Sequence, residues 1–195
     1  MRRCVRQARY DIICDMTEFD FSILNWIQDH LRCGFLDAVM PKITVLGTAA
    51  ALWIVIGLAL LMKPATRRTA VLLFIALLTA LLVCNLTLKN LVARDRPCWI
   101  NKDMILLVKS PKDYSFPSGH TAMSFLSATV LTRLGRKAGV AAFVVATLIA
   151  FSRLYLYVHF PSDVAAGALI GTMIGVLVLA GNRWIEKKKE VRGEV

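Results

Sequence analysis

TAVLLFIALLTALLVCNLTL, Thr69 to Leu88, carries no charge from end to end and is fenced by Arg68 and Lys89. A bilayer core needs about 20 apolar residues of α-helix to cross it, so a run of this length and purity reads as a membrane span. Outward from it, ITVLGTAAALWIVIGLALLM, Ile43 to Met62, is equally free of charge and lies between Lys42 and Lys63. Three further runs are less pure. Tyr114 to Thr132 holds His120, Ala138 to Val158 holds Arg153, and Val164 to Gly181 has no charge. The fold class expected is therefore all-α, an integral membrane helical bundle of about five transmembrane helices, with six left open. Composition agrees, because 57% of the 195 residues are hydrophobic, too apolar for a soluble domain of this length.

The rest of the chain arranges itself around those spans. Between Asp20 and Met40, Ile23, Trp26, Ile27, Leu31, Phe35 and Val39 recur every three to four residues while Asn25, Gln28, Asp29 and Arg32 fill the other side. That pattern is an N-terminal amphipathic helix lying in the interface, or a re-entrant segment packed on the bundle. Residues 1–17 are polar, basic and without periodicity, so a disordered tail is expected there, with Met16 as an alternative start and no cleavable signal peptide. A single membrane domain over 18–182 and a basic cytoplasmic tail over 183–195 complete the division. Gly167, Gly171 and Gly175, at four-residue spacing in the last span, suit close helix packing in lipid. The cysteines at 4, 14, 33, 84 and 98 are odd in number, fit no metal-ligand spacing and read as bystanders.

The net charge of +11 could suggest nucleic acid, but the basic residues sit at span ends and in short loops, where they anchor helices and meet anionic headgroups. No nucleic-acid partner is expected; membrane lipids and a lipid phosphate are. Alternate loops of a five-span bundle share a side. Lys89 then ends the second span, His120 begins the third, Arg153 and His159 occupy the last turns of the fourth, and Asp163 opens the fifth, all at one membrane surface. Arg153 is the most telling, since a guanidinium at membrane depth costs kilocalories unless paired or hydrated.

Three strings among these residues resemble the signature of the type 2 phosphatidic acid phosphatase family, which includes bacterial lipid phosphatases and vanadium-dependent haloperoxidases. They are KNLVARDRP (Lys89 to Pro97), PSGH (Pro117 to His120) and SRLYLYVHFPSD (Ser152 to Asp163). The resemblance covers roughly Thr69 to Gly181. Many relatives carry Gly two residues before the third-motif histidine, where this chain has Tyr157.

The resemblance implies a membrane lipid phosphatase working through a phosphohistidine. Lys89, Arg96 and Arg153 would clamp the phosphate, and Ser118 with the Gly119 amide would add hydrogen bonds at a helix N-terminus. His159 would be the nucleophile, Asp163 would hold its other ring nitrogen, and His120 would protonate the leaving oxygen and then activate water. No cluster of carboxylates offers a two-metal site, so catalysis without a metal or other cofactor is expected. A haloperoxidase is set aside because those relatives are soluble and much larger, and a non-enzymatic membrane protein because the motif set is complete. No oligomeric state is assigned. Lys63, Arg67, Arg68, Arg133, Arg136, Lys137, Arg183 and Lys187 to Lys189 lie opposite the site, which by the positive-inside rule places a multi-pass protein in the cell membrane with its site outward. An outward site suits undecaprenyl diphosphate as substrate, with phosphatidate and phosphatidylglycerol phosphate as alternatives. Lys102, Lys109 and Lys112 are candidates for attracting a diphosphate headgroup.

Overall fold

The computed structural model describes the backbone of residues 2–192 and the side chains of residues 17–192. Among the described residues every regular element is helical. α1 (Arg2–Leu31) is one helix, so the tail expected over 1–17 joins it; Met1 and the side chains as far as residue 16 lie outside the described residues. Its amphipathic half turns Leu24 and Ile27 inward and Phe19 and Trp26 outward. The helix stops at Leu31 instead of continuing to Met40. Cys33 is extended, at φ −153°, and Gly34, a poor helix former, begins the next element.

The first span accordingly starts earlier than its uncharged run, at α2 (Gly34–Gly47), and takes in Lys42. It is also broken where a single helix was expected. A 3₁₀ turn at Thr48–Ala50 separates α2 from α3 (Ala51–Leu61), with Ala49 and Ala50 in the left-handed region at φ 48° and 56°. Gly47 and Thr48 are weak helix formers, and the small alanines let the chain turn beside its neighbours. Gly47 leaves room for the site as well, since a Cβ there would lie 2.7 Å from His120 Cδ2.

The second span is continuous. α4 (Arg67–Ala80) runs through a π-helical stretch (Leu81–Leu88) into α5 (Lys89–Val92), and after a short link α6 (Pro97–Ile100) forms a single turn. α7 (Gly119–Leu131), α8 (Arg136–Tyr155) and α9 (Pro161–Val191) complete the bundle. The basic segment expected as a separate tail from 183 is the last part of α9; residues 193–195 lie outside the described residues.

Four segments, Gly34–Leu61, Pro64–Ile100, Arg136–Tyr155 and Pro161–Val191, are long and apolar enough to cross a membrane. α7, read as a span from Tyr114 to Thr132, is shorter: residues 114–118 are loop, because Pro117 and Ser118 set the helix start. It lies at the centre, packed by α9, α8 and α4, with Ala122, Leu126, Ala128 and Val130 wholly buried. Its hydroxyls serve that packing, as where Trp53 Nε1 donates to Ser124 Oγ at 3.0 Å. The outer surface is the reverse, with Leu78, Leu86, Val144, Leu169 and Leu177 exposed. Such a surface would be a large apolar patch in water and is solvated in lipid.

The glycine stripe of α9 is the α7 contact. A Cβ at Gly167 would lie 2.7 Å from Ser118 O, at Gly171 2.2 Å from Ala122 O, and at Gly175 2.7 Å from Thr129 Cβ. The Gly171 obstacle is backbone, which cannot move aside as a side chain can. Gly171→Ala is expected to destabilise the protein by about 3 kcal/mol or more, read as a lower melting temperature in detergent. Gly181→Ala, with nothing within 4 Å, is expected to leave it unchanged.

Candidate active site

Helix ends at one side of the bundle surround a cavity of about 1050 Å³. Lys89 reaches it from α5, Arg96 from the link before α6, Gly119 and His120 from the start of α7, Arg153 from α8 and His159 from the α8–α9 link. Ser118 and Asp163 do not line it. Both lie fully buried behind, where Ser118 accepts from Thr121 Oγ1 at 3.0 Å and its amide donates to Asp163 O at 3.1 Å.

His159 is not in the last turn of α8, as expected. The helix ends at Tyr155, and Tyr157 takes a left-handed conformation, φ 57°, to carry the chain across to α9. Glycine would take that geometry without strain. Here the cost of about 1–2 kcal/mol is offset by burial of the ring against Leu24, Phe21 and Phe160 and by a 2.9 Å hydrogen bond from Tyr157 Oη to Asn25 Oδ1.

The imidazole of His159 has a defined tautomer. Its Nε2 lies 3.2 Å from Arg96 Nη1, and a guanidinium can only donate, so Nε2 presents its lone pair and Nδ1 carries the proton. Burial, reinforced by Arg96 and Arg153, pushes the imidazolium well below its usual range and keeps the ring neutral. The direct hydrogen bond expected from His159 to Asp163 is not made: Nδ1 to Oδ2 is 3.7 Å. Ser115 stands between them, its Oγ 3.4 Å from His159 Nδ1 and donating to Asp163 Oδ2 at 2.5 Å. Asp163 is drawn away because it is the third residue of α9, where its carboxylate also accepts the Phe160 N–H at 2.9 Å.

Arg94 completes this support. It donates to Asp163 Oδ1 at 2.8 Å, Ser162 Oγ at 2.7 Å and Asp20 Oδ2 at 2.7 Å, with its guanidinium 4.1 Å from the Phe160 ring centroid. α1 is thereby pinned to the start of α9.

The cations divide into two kinds. Arg96, 2% exposed, donates to Val158 O at 2.6 Å, to Asp113 O at 2.6 Å and to Asp113 Oδ1 at 2.8 Å, while Lys89 pairs with Asp113 Oδ2. Partial burial alone would raise the Asp113 carboxyl, but its hydrogen bonds and charge contacts with Lys89 and Arg96 win and hold it at about 2. Arg153, 6% exposed, donates to Thr44 Oγ1 and has no ion pair among the described residues; its Nε is buried without a partner. A buried cation so poorly matched invites an anion. Asn85, from the π-helical stretch, presents a second orphan, Oδ1, packed where Gly119 lacks a Cβ.

Sequence reasoning missed Ser115, Arg94, Asp20, Asp113, Thr44 and Asn85. Arg94 sat inside the first motif string and Ser115 just ahead of the second, which was the signal available. Lys109 and Lys112 line the cavity and Lys102 does not. Cys33, Cys84 and Cys98 are free thiols outside the cavity lining.

A sequence profile of the PAP2 superfamily matches residues 68–187, a stretch that encloses every candidate residue from Lys89 to Asp163. The chain belongs to the PAP2 superfamily. An undecaprenyl-diphosphatase of Sulfolobus acidocaldarius is 33% identical over 158 residues, covering 80% of this chain and 74% of the relative. Among solved structures, the PAP2-type phosphatidylglycerolphosphate phosphatase of Bacillus subtilis superposes with a TM-score of 0.74 at 27% identity, covering 88% of each chain. LpxE of Aquifex aeolicus gives 0.73 at 30% identity, covering 82% of this chain and 94% of the other. The resemblance read from three short strings is therefore borne out at the level of family and fold, and the PAP2 chain is a multi-pass membrane protein of the lipid phosphatase family. In this PAP2 protein His159 is met from both ring nitrogens: by Arg96 at Nε2, and by the Ser115–Asp163–Arg94 chain behind Nδ1.

Proposed function

We propose that the chain removes the terminal phosphate of a membrane lipid through a phosphohistidine on His159, with undecaprenyl diphosphate the preferred substrate. One observation carries the reading. The cavity that holds the cations is continuous with apolar walls from Val45, Ile54, Phe74, Leu77, Leu78 and Leu81, so a charged headgroup and a hydrocarbon chain fit one space. A water-soluble phosphate ester would leave those walls empty.

In the first step the His159 Nε2 lone pair forms a bond to phosphorus and the bond to the leaving oxygen breaks, with His120, charged once the phosphate dianion lies beside it, giving that oxygen its proton. Lys89, Arg96 and Arg153 hold the equatorial oxygens, and the Gly119 amide adds a donor at the start of α7, with Ser118 buried behind it as the residue that opens the helix. Positive charge developing on the ring is stabilised through Ser115 by Asp163. In the second step water attacks, the P–N bond breaks, His120 takes the proton of the water, and inorganic phosphate leaves. The choice of undecaprenyl diphosphate rests on the named relative in Sulfolobus and on an outward site. Arg68 on the opposite face bonds Asn182 at 2.9 Å and Glu186 at 2.5 Å, which gathers the basic ends of α4 and α9 on one side, and the positive-inside rule supports reading that side as cytoplasmic.

The test is phosphate release by the full chain in detergent from undecaprenyl diphosphate, phosphatidate, phosphatidylglycerol phosphate and p-nitrophenyl phosphate. The first is expected to give the highest kcat/KM, the soluble ester to be slower by roughly 100-fold, and a chelator to change nothing. Equal rates on the soluble ester, or total loss with chelator, would overturn this reading.

A further inference from the structure

The anion seat is already filled by part of the protein. Asp113 spans the two first-motif cations, one carboxylate oxygen on Arg96 and the other on Lys89, as two equatorial oxygens of a phosphate would. Its side chain is half-exposed, on the 101–118 link that has no helix or strand, so it can leave by a side-chain rotation. None of the three motif strings includes this residue.

Charge decides what can replace it. A carboxylate brings one negative charge to Lys89 and Arg96. A lipid phosphodiester also brings one, so exchanging it for Asp113 gains little and leaves a displaced carboxylate near the new anion. A terminal phosphate is close to doubly charged above its second pKa of about 6, and a diphosphate carries more. Only these gain attraction on exchange, with Arg153 as a further unpaired cation to meet the added charge. The distinction matters in a membrane, where phosphodiester headgroups surround the site at far higher concentration than any substrate.

We propose that Asp113 is an internal anion on Lys89 and Arg96 that sets a threshold for occupancy, one that terminal phosphates overcome and the singly charged phosphodiesters of surrounding lipids do not. This rests on the reading of the cavity as a phosphate seat.

The experiment uses the full chain in a zwitterion-free detergent at pH 8, with calorimetric titration of inorganic phosphate and of dimethyl phosphate. The wild type is expected to favour inorganic phosphate strongly. Asp113→Asn is expected to tighten both anions by roughly tenfold, in line with freeing a seat occupied most of the time, so that dimethyl phosphate binds at concentrations that leave the wild type empty. Asp113→Glu, which keeps the carboxylate, is expected to bind dimethyl phosphate as weakly as the wild type and shows that the loop itself tolerates change. Dimethyl phosphate affinity unaltered or weaker in Asp113→Asn would overturn the filter while leaving the phosphate seat intact. Absence of phosphate binding by every variant would overturn both.

Discussion

Replacing His159 with alanine is expected to lower phosphate release by roughly 10⁴-fold or more, the scale seen when a covalent nucleophile is removed. The geometry behind the number is specific. Nε2 carries the ring's lone pair, which accepts from Arg96 until a phosphate draws that guanidinium away, and burial keeps the ring neutral and ready to attack. Because Lys89, Arg96 and Arg153 still bind the headgroup, KM is expected to change far less than kcat. A second readout separates lost chemistry from lost structure. Wild type incubated with ³²P-labelled lipid and quenched in alkali is expected to carry label on the protein that acid removes, as a phosphoramidate does, and His159→Ala to carry none. Retained turnover or retained label in that variant would remove the covalent route.

The spans were legible because lipid imposes a length, and runs such as Thr69 to Leu88 obey it. What hydropathy could not show was where a run bends. Ile43 to Met62 is uniform in polarity, yet the helix breaks at Gly47–Ala50, where packing on His120 and Ile149 decides the backbone. Tyr114 to Thr132 was read long because Tyr114 to Ser118 carries no charge, and a charge-free loop is not separated from a helix by that criterion. At the site, the motif histidines and cations were legible because each stands in a short string of recognisable residues beside the end of an apolar run. The residues that tie them together were not. Ser115, Arg94 and Asp113 gain their meaning from partners 17 to 74 positions away in sequence, such as Asp20 for Arg94 and Arg96 for Asp113, and those distances close only when the helices pack. Tyr157 shows the opposite case: its departure from the glycine of many relatives was visible, but the left-handed backbone it adopts was not.

Arg94 carries the second large expected effect. Asp163 is fully buried and Asp20 nearly so, and one guanidinium answers both. Truncation in Arg94→Ala would leave two buried carboxylates without their cation, a loss on the order of 3–5 kcal/mol. The first expectation is therefore a marked drop in melting temperature in detergent. Arg94→Lys should fall between, because an ammonium lacks the planar fork that reaches Asp20, Ser162 and Asp163 together. Adding Asp20→Asn to Arg94→Ala should recover part of the stability, since it removes one of the stranded charges. It should not recover turnover to the same degree, because Asp163 still lacks the contact that aims it through Ser115 at His159. Stability and activity recovering in parallel would mean that Arg94 only fastens α1 to α9; activity lagging behind stability is what a positioning role for the nucleophile requires.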